Sequence, residues 1–248
     1  PYSSDLVVVT GVRAMSPAEE ATPFPVSTRT RARRLPERVS HVHADVFRIL
    51  DAAILCHIAY VVDGQPFCTP TIHWRVGERL YWHGSSASRM LRTQHDRLAV
   101  CLTVSHLDGL VLARCGFNHS VNYRSAMCFG TAAAIDEPGE KALALRAMLE
   151  RFYPGRDEAL RPMTAQELKA TSVVGMTIDE ATAKVRAKMN ADHDEDLAVP
   201  VWAGVVPVNT VIGEWQPCPS NGPHAPRSDM EPYAPGLRLD EVLTSLSR

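Results

Sequence analysis

The sequence has no apolar run near the roughly 18–20 residues that span a bilayer. Its N-terminal stretch also lacks a basic region followed by a long apolar segment and a small-residue cleavage site. A soluble, cytoplasmic protein without a membrane partner is expected, and because Pro1 rather than Met comes first, upstream residues are expected as well. There is no excess of positive charge: 26 Lys and Arg stand against 28 Asp and Glu, a formal net charge of −2. No overall field therefore draws in nucleic acid or an anionic membrane, and any anion site must be local. The six cysteines, Cys56, Cys68, Cys101, Cys115, Cys128 and Cys218, form no C-x-x-C pair. Most lie in apolar stretches, where a free thiol behaves as a small hydrophobe, so a reducing compartment and no structural zinc are expected. Gly84-Ser85-Ser86-Ala87-Ser88 lacks the second glycine of a nucleophile elbow, and no repeat recurs at solenoid or propeller periods.

What is present is ordinary globular material, 45% hydrophobic and 22% charged, in a chain of 248 residues. Residues 1–36 combine Ser, Thr, Pro and the basic cluster Arg29, Arg31, Arg33 and Arg34, with one short apolar patch at residues 6–9; this reads as an N-terminal arm. Val39, Val42, Val46, Ile49 and Leu50 recur at threes and fours and predict a helix over residues 37–50. Apolar runs at 54–62, 67–76 and 79–83, separated by Asp63-Gly64 and Gly77-Glu78, predict a three-stranded meander. A short helix over 86–95, strands at 98–104, 110–114 and 123–135, and a turn at Asp108-Gly109 follow. Helices over 140–151 and 164–169, the second with Thr164 as its N-cap, and strands at 173–178 and 200–208 complete residues 37–215. The tail, residues 216–248, is expected to be irregular with one short helix at 239–246. Six strands with a single short helix among them argue for a mainly β fold with flanking helices, an antiparallel barrel and not a βαβ sheet.

Three segments carry chemistry. Tyr81-Trp82-His83-Gly84-Ser85-Ser86-Ala87-Ser88-Arg89 sits where a strand ends and a helix begins. Free backbone N–H groups, serine hydroxyls and a planar cation at such a junction suit a phosphate. A plain Ser86 cap and a solvated Arg89 account for the same residues. Asn118-His119-Ser120-Val121-Asn122-Tyr123-Arg124-Ser125 is dense in hydrogen-bonding groups, as a ligand loop or a satisfied polar corner would be. Trp202-Ala203-Gly204 sets a large aromatic beside small neighbours, which fits either a flat ring or a core position. His57, His73 and His83 fall on successive predicted strands without the spacing of a metal site.

These pieces, with Asp63-Gly64-Gln65-Pro66, Pro70-Thr71, Leu80, Asp108 to Arg114, Phe117, Phe129-Gly130, Lys184-Val185-Arg186 and Pro200-Val201, run in order over residues 29–208. The ordered set resembles the pyridoxamine 5′-phosphate oxidase-like FMN-binding split-barrel family, specifically its Nim-like branch. The resemblance implies a six-stranded antiparallel split barrel that forms a homodimer with FMN at the subunit interface. It places Thr71, Ile72 and His73 along the isoalloxazine and His83, Ser85, Ser88 and Arg89 around the phosphate. Tyr123, Arg124, Lys184, Arg186 and Trp202 are cofactor-binding candidates on later elements, and His83, then His73, are candidate catalytic groups. The segment after Pro207 lacks the oxidase's Arg-x-His-type motif, which disfavours pyridoxamine phosphate as substrate. The expectation is an FMN-dependent oxidoreductase acting on a small, nitroaromatic-type molecule; a flavin carrier or sensor without turnover, or a haem-binding split barrel, are the alternatives.

Overall fold

The computed structural model describes residues 15–94, 97–222 and 228–247; the patch at residues 6–9 and the last residue of the helix expected at 86–95 lie outside them. Helix α1 (Pro17–Glu20) opens with a capping box between Ser16 and Glu19. After a 3-10 turn at Pro36–Arg38 come β1 (Val39–Ser40), α2 (His43–Asp51), β2 (Leu55–Val62), β3 (Gln65–Ile72), β4 (Trp74–Val76) and β5 (Arg79–Ser85). They are followed by α3 (Arg89–Thr93), β6 (Leu98–Leu112), β7 (Ser120–Ala134), α4 (Pro138–Phe152), α5 (Ala165–Ala170), β8 (Thr171–Thr177), β9 (Glu180–Arg186), β10 (Gly204–Pro207) and α6 (Leu239–Leu246).

Every ladder is antiparallel, in the order β3-β2-β6-β7-β8-β5-β4, with β10 added to β6, β9 to β7 and β1 to β9. The 15-residue strands β6 and β7 are the spine, and each changes partner along its length. β6 pairs with β2 near Val100–Thr103 and with β10 near Gly109–Leu112; β7 pairs with β9 up to Phe129 and with β8 from Ala132. The architecture is the antiparallel split barrel expected from sequence, with ten strands in the sheet because short strands extend the spine at both ends.

Several boundaries differ for physical reasons. Residues 98–104 and 110–114 are not two strands around a turn: Asp108-Gly109 is a register shift inside one continuous β6. Gly109 is needed there because a Cβ would meet Val205 Cγ1 at 3.0 Å and the Val206 carbonyl at 3.1 Å, where β10 crosses. The run 67–76 breaks at His73, so that β3 pairs with β2 and its continuation β4 pairs with β5. The helix expected from residue 37 starts at His43, because Pro36–Arg38 forms a 3-10 turn and Val39 pairs with Lys184. By contrast Asp63 and Gly64 both take positive φ, 50° and 74°, as a two-residue hairpin requires. Thr164 caps α5 with a capping box to Glu167.

Strand alternation then sorts side chains into two cores. Inside the barrel lie Leu50, Cys56, Ile58, Leu80, Trp82, Leu102, Cys128, Val174 and Met176, closed at one end by α2. Outside β4, β5 and β8, a second core of Trp74, Tyr81, Ile135, Ala147, Phe152, Val173 and Leu243 lies beneath α4 and α6. All six cysteines are free, and burial pushes the Cys56 thiol up to about 12 and Cys128 upward as well, so both act as apolar groups. Among the described residues no helix is long and apolar enough to cross a membrane.

Candidate functional site

The barrel's split lies where β3 becomes β4, and β3 and β5 approach each other there. Along β5, Leu80 and Trp82 point into the barrel, so alternation sends Tyr81, His83 and Ser85 to the other face. After Ser85 the chain turns tightly: Ser88 N–H donates to the Ser85 carbonyl at 2.8 Å, Ala87 N–H to Ser85 Oγ at 3.2 Å, and Ser86 N–H to the Ala170 carbonyl at 3.0 Å. Helix α3 is only five residues long, and the Ser88 side chain at its N-cap makes no capping bond. Among the described residues the exposed Arg89 guanidinium has no ion pair or hydrogen bond. The Ser88 hydroxyl and the Arg89 fork are thus uncommitted at one strand end, an arrangement that can bind an anion.

His83 is half-buried, and its Nδ1 is enclosed without a partner among the described residues; burial holds its pKa below the ordinary value, so the ring is neutral at pH 7. His73 is placed differently. It is 2% exposed, with Nδ1 3.2 Å from the Ile54 carbonyl and Nε2 3.2 Å from the Leu50 carbonyl. Both ring nitrogens therefore face main-chain carbonyls at the break between β3 and β4, and the neutral ring donates its single N–H to one of them. Thr71 pairs with Cys56 and Ile72 with Leu55, so the two sit on opposite faces of β3.

The remaining candidates gather elsewhere. Tyr123 pairs with Arg186, and Ser125 with Lys184, across β7 and β9. Arg186 is nearly buried and donates from Nη1 to Asn122 Oδ1 at 2.6 Å and to the Lys188 carbonyl at 3.2 Å. Arg124 is committed to Asp108 and Asp240. Trp202, 64% exposed, lies over Gly204, where a Cβ would meet Cζ2 at 2.9 Å. Within one chain β8 lies between β5, which leads into the His83–Arg89 junction, and β7, whose Tyr123 end pairs with Lys184 and Arg186 of β9.

A cavity of about 460 Å³ that sequence reasoning did not anticipate opens between the α2–β2 junction, β6 and α6. Its floor includes Ala52, Ile54, Leu107 and Leu243, and its polar wall is Asp108, Arg124, Arg238 and Asp240. Asp240 lies 116 positions from Arg124, so no local pattern could have signalled their pairing. The arm also has a defined role: Arg29 Nη2 donates to Glu180 Oε1 at 2.7 Å, its guanidinium lies 4.7 Å above the Phe129 ring, and Thr30 donates to the same carboxylate.

The fold is that of a split-barrel protein. The family model described as pyridoxamine 5′-phosphate oxidase matches residues 43–185, and the chain belongs to this flavin-binding family. It is similar over more than four fifths of its length to two solved structures. One is the flavocytochrome Anf3 from Azotobacter vinelandii, 41% identical, with 86% of this chain and 100% of that one covered and a TM-score of 0.79. The other is the FAD and heme binding protein from Mycobacterium smegmatis, 36% identical, with 81% and 99% covered and a TM-score of 0.76. A conserved hypothetical protein from Mycobacterium tuberculosis, 15% identical with a TM-score of 0.50 over 67% of this chain and 99% of that one, shares the fold. No curated protein matches the chain.

Proposed function

We propose that this chain is a redox protein that binds a flavin and haem and works as a homodimer in the cytoplasm. The observation that carries the reading is its similarity, at 41% and 36% identity over more than four fifths of its length, to a flavocytochrome and to an FAD and heme binding protein. The uncommitted Ser88 and Arg89 at the β5–α3 junction support a phosphate there. The separation of that junction from Tyr123, Lys184 and Arg186 supports a site completed by a second subunit, with Trp202 reaching it from the loop before β10. Six free cysteines fit a reducing compartment. The phosphate site serves FMN and FAD alike, and the name of the 36%-identical relative makes FAD our choice over the FMN expected from sequence.

Bound at these residues, flavin and haem would supply hydride and single-electron transfer. Ser85, Ser88 and Arg89 hold the phosphate end, while the neutral ring of His83 stands beside it as a hydrogen-bonding group. Haem has a fitting surface on the outer side of β2. His57 lies there between Pro70 and Thr103, with Leu55, Val61 and Met127 exposed around it. Its ring makes no hydrogen bond among the described residues and is free to take iron.

The absorption spectrum of the protein as purified, with mass spectrometry of the released cofactors, tests the proposal. Flavin and Soret bands together, with FAD in the extract and a dimer by light scattering, are the expected result. A preparation that holds neither flavin nor haem, and binds neither on reconstitution, overturns it. The same preparation, reduced anaerobically by a nicotinamide nucleotide and mixed with a nitroaromatic, tests the substrate class expected from the Nim-like resemblance.

A further inference from the structure

Two unpartnered polar atoms face the wall between the barrel and the layer of α4 and α6. Trp74 is 1% exposed, and among the described residues its indole N–H meets no acceptor; the enclosed Nδ1 of His83 is equally alone. The two rings are neighbours, with centroids 5.7 Å apart and planes at 60°. Trp74 also stacks on Tyr81, with centroids 5.8 Å apart at 12°, so the indole is held in place. Val173, which pairs with His83, and Val76 and Ile135 make the surroundings apolar.

An indole N–H can only donate, whereas a neutral imidazole offers one donor and one acceptor. Buried groups without partners are rare in folded proteins, and an enclosed water is the common remedy. A single water about 2.8 Å from each of two atoms bridges up to about 5.6 Å, a span open to edge atoms of two neighbouring rings. We propose that a buried water sits between Trp74 Nε1 and His83 Nδ1, accepts from the indole, donates to the imidazole and so fixes His83 as the Nε2–H tautomer. The opposite tautomer would aim two donors at the water and leave both of its own protons facing apolar side chains. The water as placed leaves only one.

His83 then carries its one N–H on the accessible side of the ring, on the strand face it shares with Ser85. With Ser88 and Arg89, this makes the junction a set of donors. That consequence rests on the phosphate-site reading given above, whereas the water and the tautomer do not. Trp74 is thus a positioning residue, acting on a ligand only through His83.

Long-range ¹H–¹⁵N correlation spectra of ¹⁵N-histidine-labelled protein, as purified, report the tautomer directly. A water cross-peak to the slowly exchanging Trp74 indole proton reports the bridge. An Nε2–H tautomer with that cross-peak is the expected result; an Nδ1–H tautomer, or an indole proton that shows no water contact, overturns the proposal. Trp74→Phe is expected to shift the His83 Nδ1 resonance and mix the tautomers, and an unchanged spectrum also overturns it. His83→Phe is expected to weaken flavin binding about tenfold. If flavin binding is unchanged while the wild-type spectrum shows the Nε2–H tautomer and the water, the bridge stands and the phosphate-site reading falls.

Discussion

The carboxylate of Asp240 accepts a hydrogen bond from Arg124 Nη2 at 2.9 Å, tying the C-terminal helix to the middle of β7. Arg124 also grips Asp108 through Nε and Nη2 at 2.7–3.1 Å, and Arg238 donates to Asp240 at 2.9 Å, so two cations and two anions neutralise one another on the cavity wall. Burial works against the Asp240 charge, yet hydrogen bonds from Arg238 and Arg124 outweigh it and hold its pKa below the ordinary value. A carboxylate depressed on folding adds stability above its unfolded pKa near 4 and loses it as pH falls through the folded value. Asp240→Asn should therefore loosen α6. We expect faster deuterium uptake over 239–246 and a Tm lower by about 2–4 °C, for roughly 1 kcal/mol of a partly exposed pair. Uptake equal to wild type would show that apolar packing of Leu243 alone seats the helix.

His73 makes acid stability a test of the split. Burial drives its pKa down to about 4, against the raising effects of Asp51 and the Leu50 and Ile54 carbonyls. The unfolded chain binds the proton at about 6.5 and the folded chain does not, so stability is fully present above that pH and declines between about 6.5 and 4. The loss on crossing the window is on the order of 3 kcal/mol. His73→Phe should flatten this part of the urea-unfolding profile against pH, whatever it does to stability at neutral pH. A mutant profile as steep as wild type would assign the acid loss to other groups.

Gly130 stands where β7 exchanges β9 for β8. A Cβ there would lie 2.3 Å from the Thr177 carbonyl oxygen and 2.7 Å from Met176 Cγ. One contact is with backbone, which cannot step aside as a flexible side chain would. Gly130→Ala is expected to cost about 2–3 kcal/mol, read as a lower urea midpoint at unchanged slope.

Arg89→Ala removes the guanidinium of the proposed phosphate site. Since Arg89 forms no ion pair among the described residues, the fold should hardly notice, with a Tm within about 2 °C of wild type. Flavin affinity should fall by about 10- to 100-fold, as for loss of a charge-assisted hydrogen-bond donor. Equal affinity in mutant and wild type, measured by fluorescence quenching, would place the phosphate elsewhere.

Much of this was legible in the chain because it is local. Asp63-Gly64 demands positive φ, Thr164 and Glu167 are spaced as a capping box, and the periodic apolar residues of 239–246 predict α6 with the bounds it has in the structure. Strand spacing and turns were enough for an antiparallel barrel, and the order of motifs was enough for the family. The sequence could not say that Asp108-Gly109 bends one strand instead of ending it, because an Asp-Gly pair suits a turn and a bulge alike. What decided it was the arrival of β10 across Gly109. Nor could it tell His73 from His83, two histidines on consecutive predicted strands. Only the packing of α2 against the barrel encloses the ring of the first between two main-chain carbonyls and leaves the second beside an indole with nothing to donate to. Residue type and spacing specify what a group can bond, but which partners come within 3 Å depends on contacts between elements far apart in the chain, and those exist only in the folded protein.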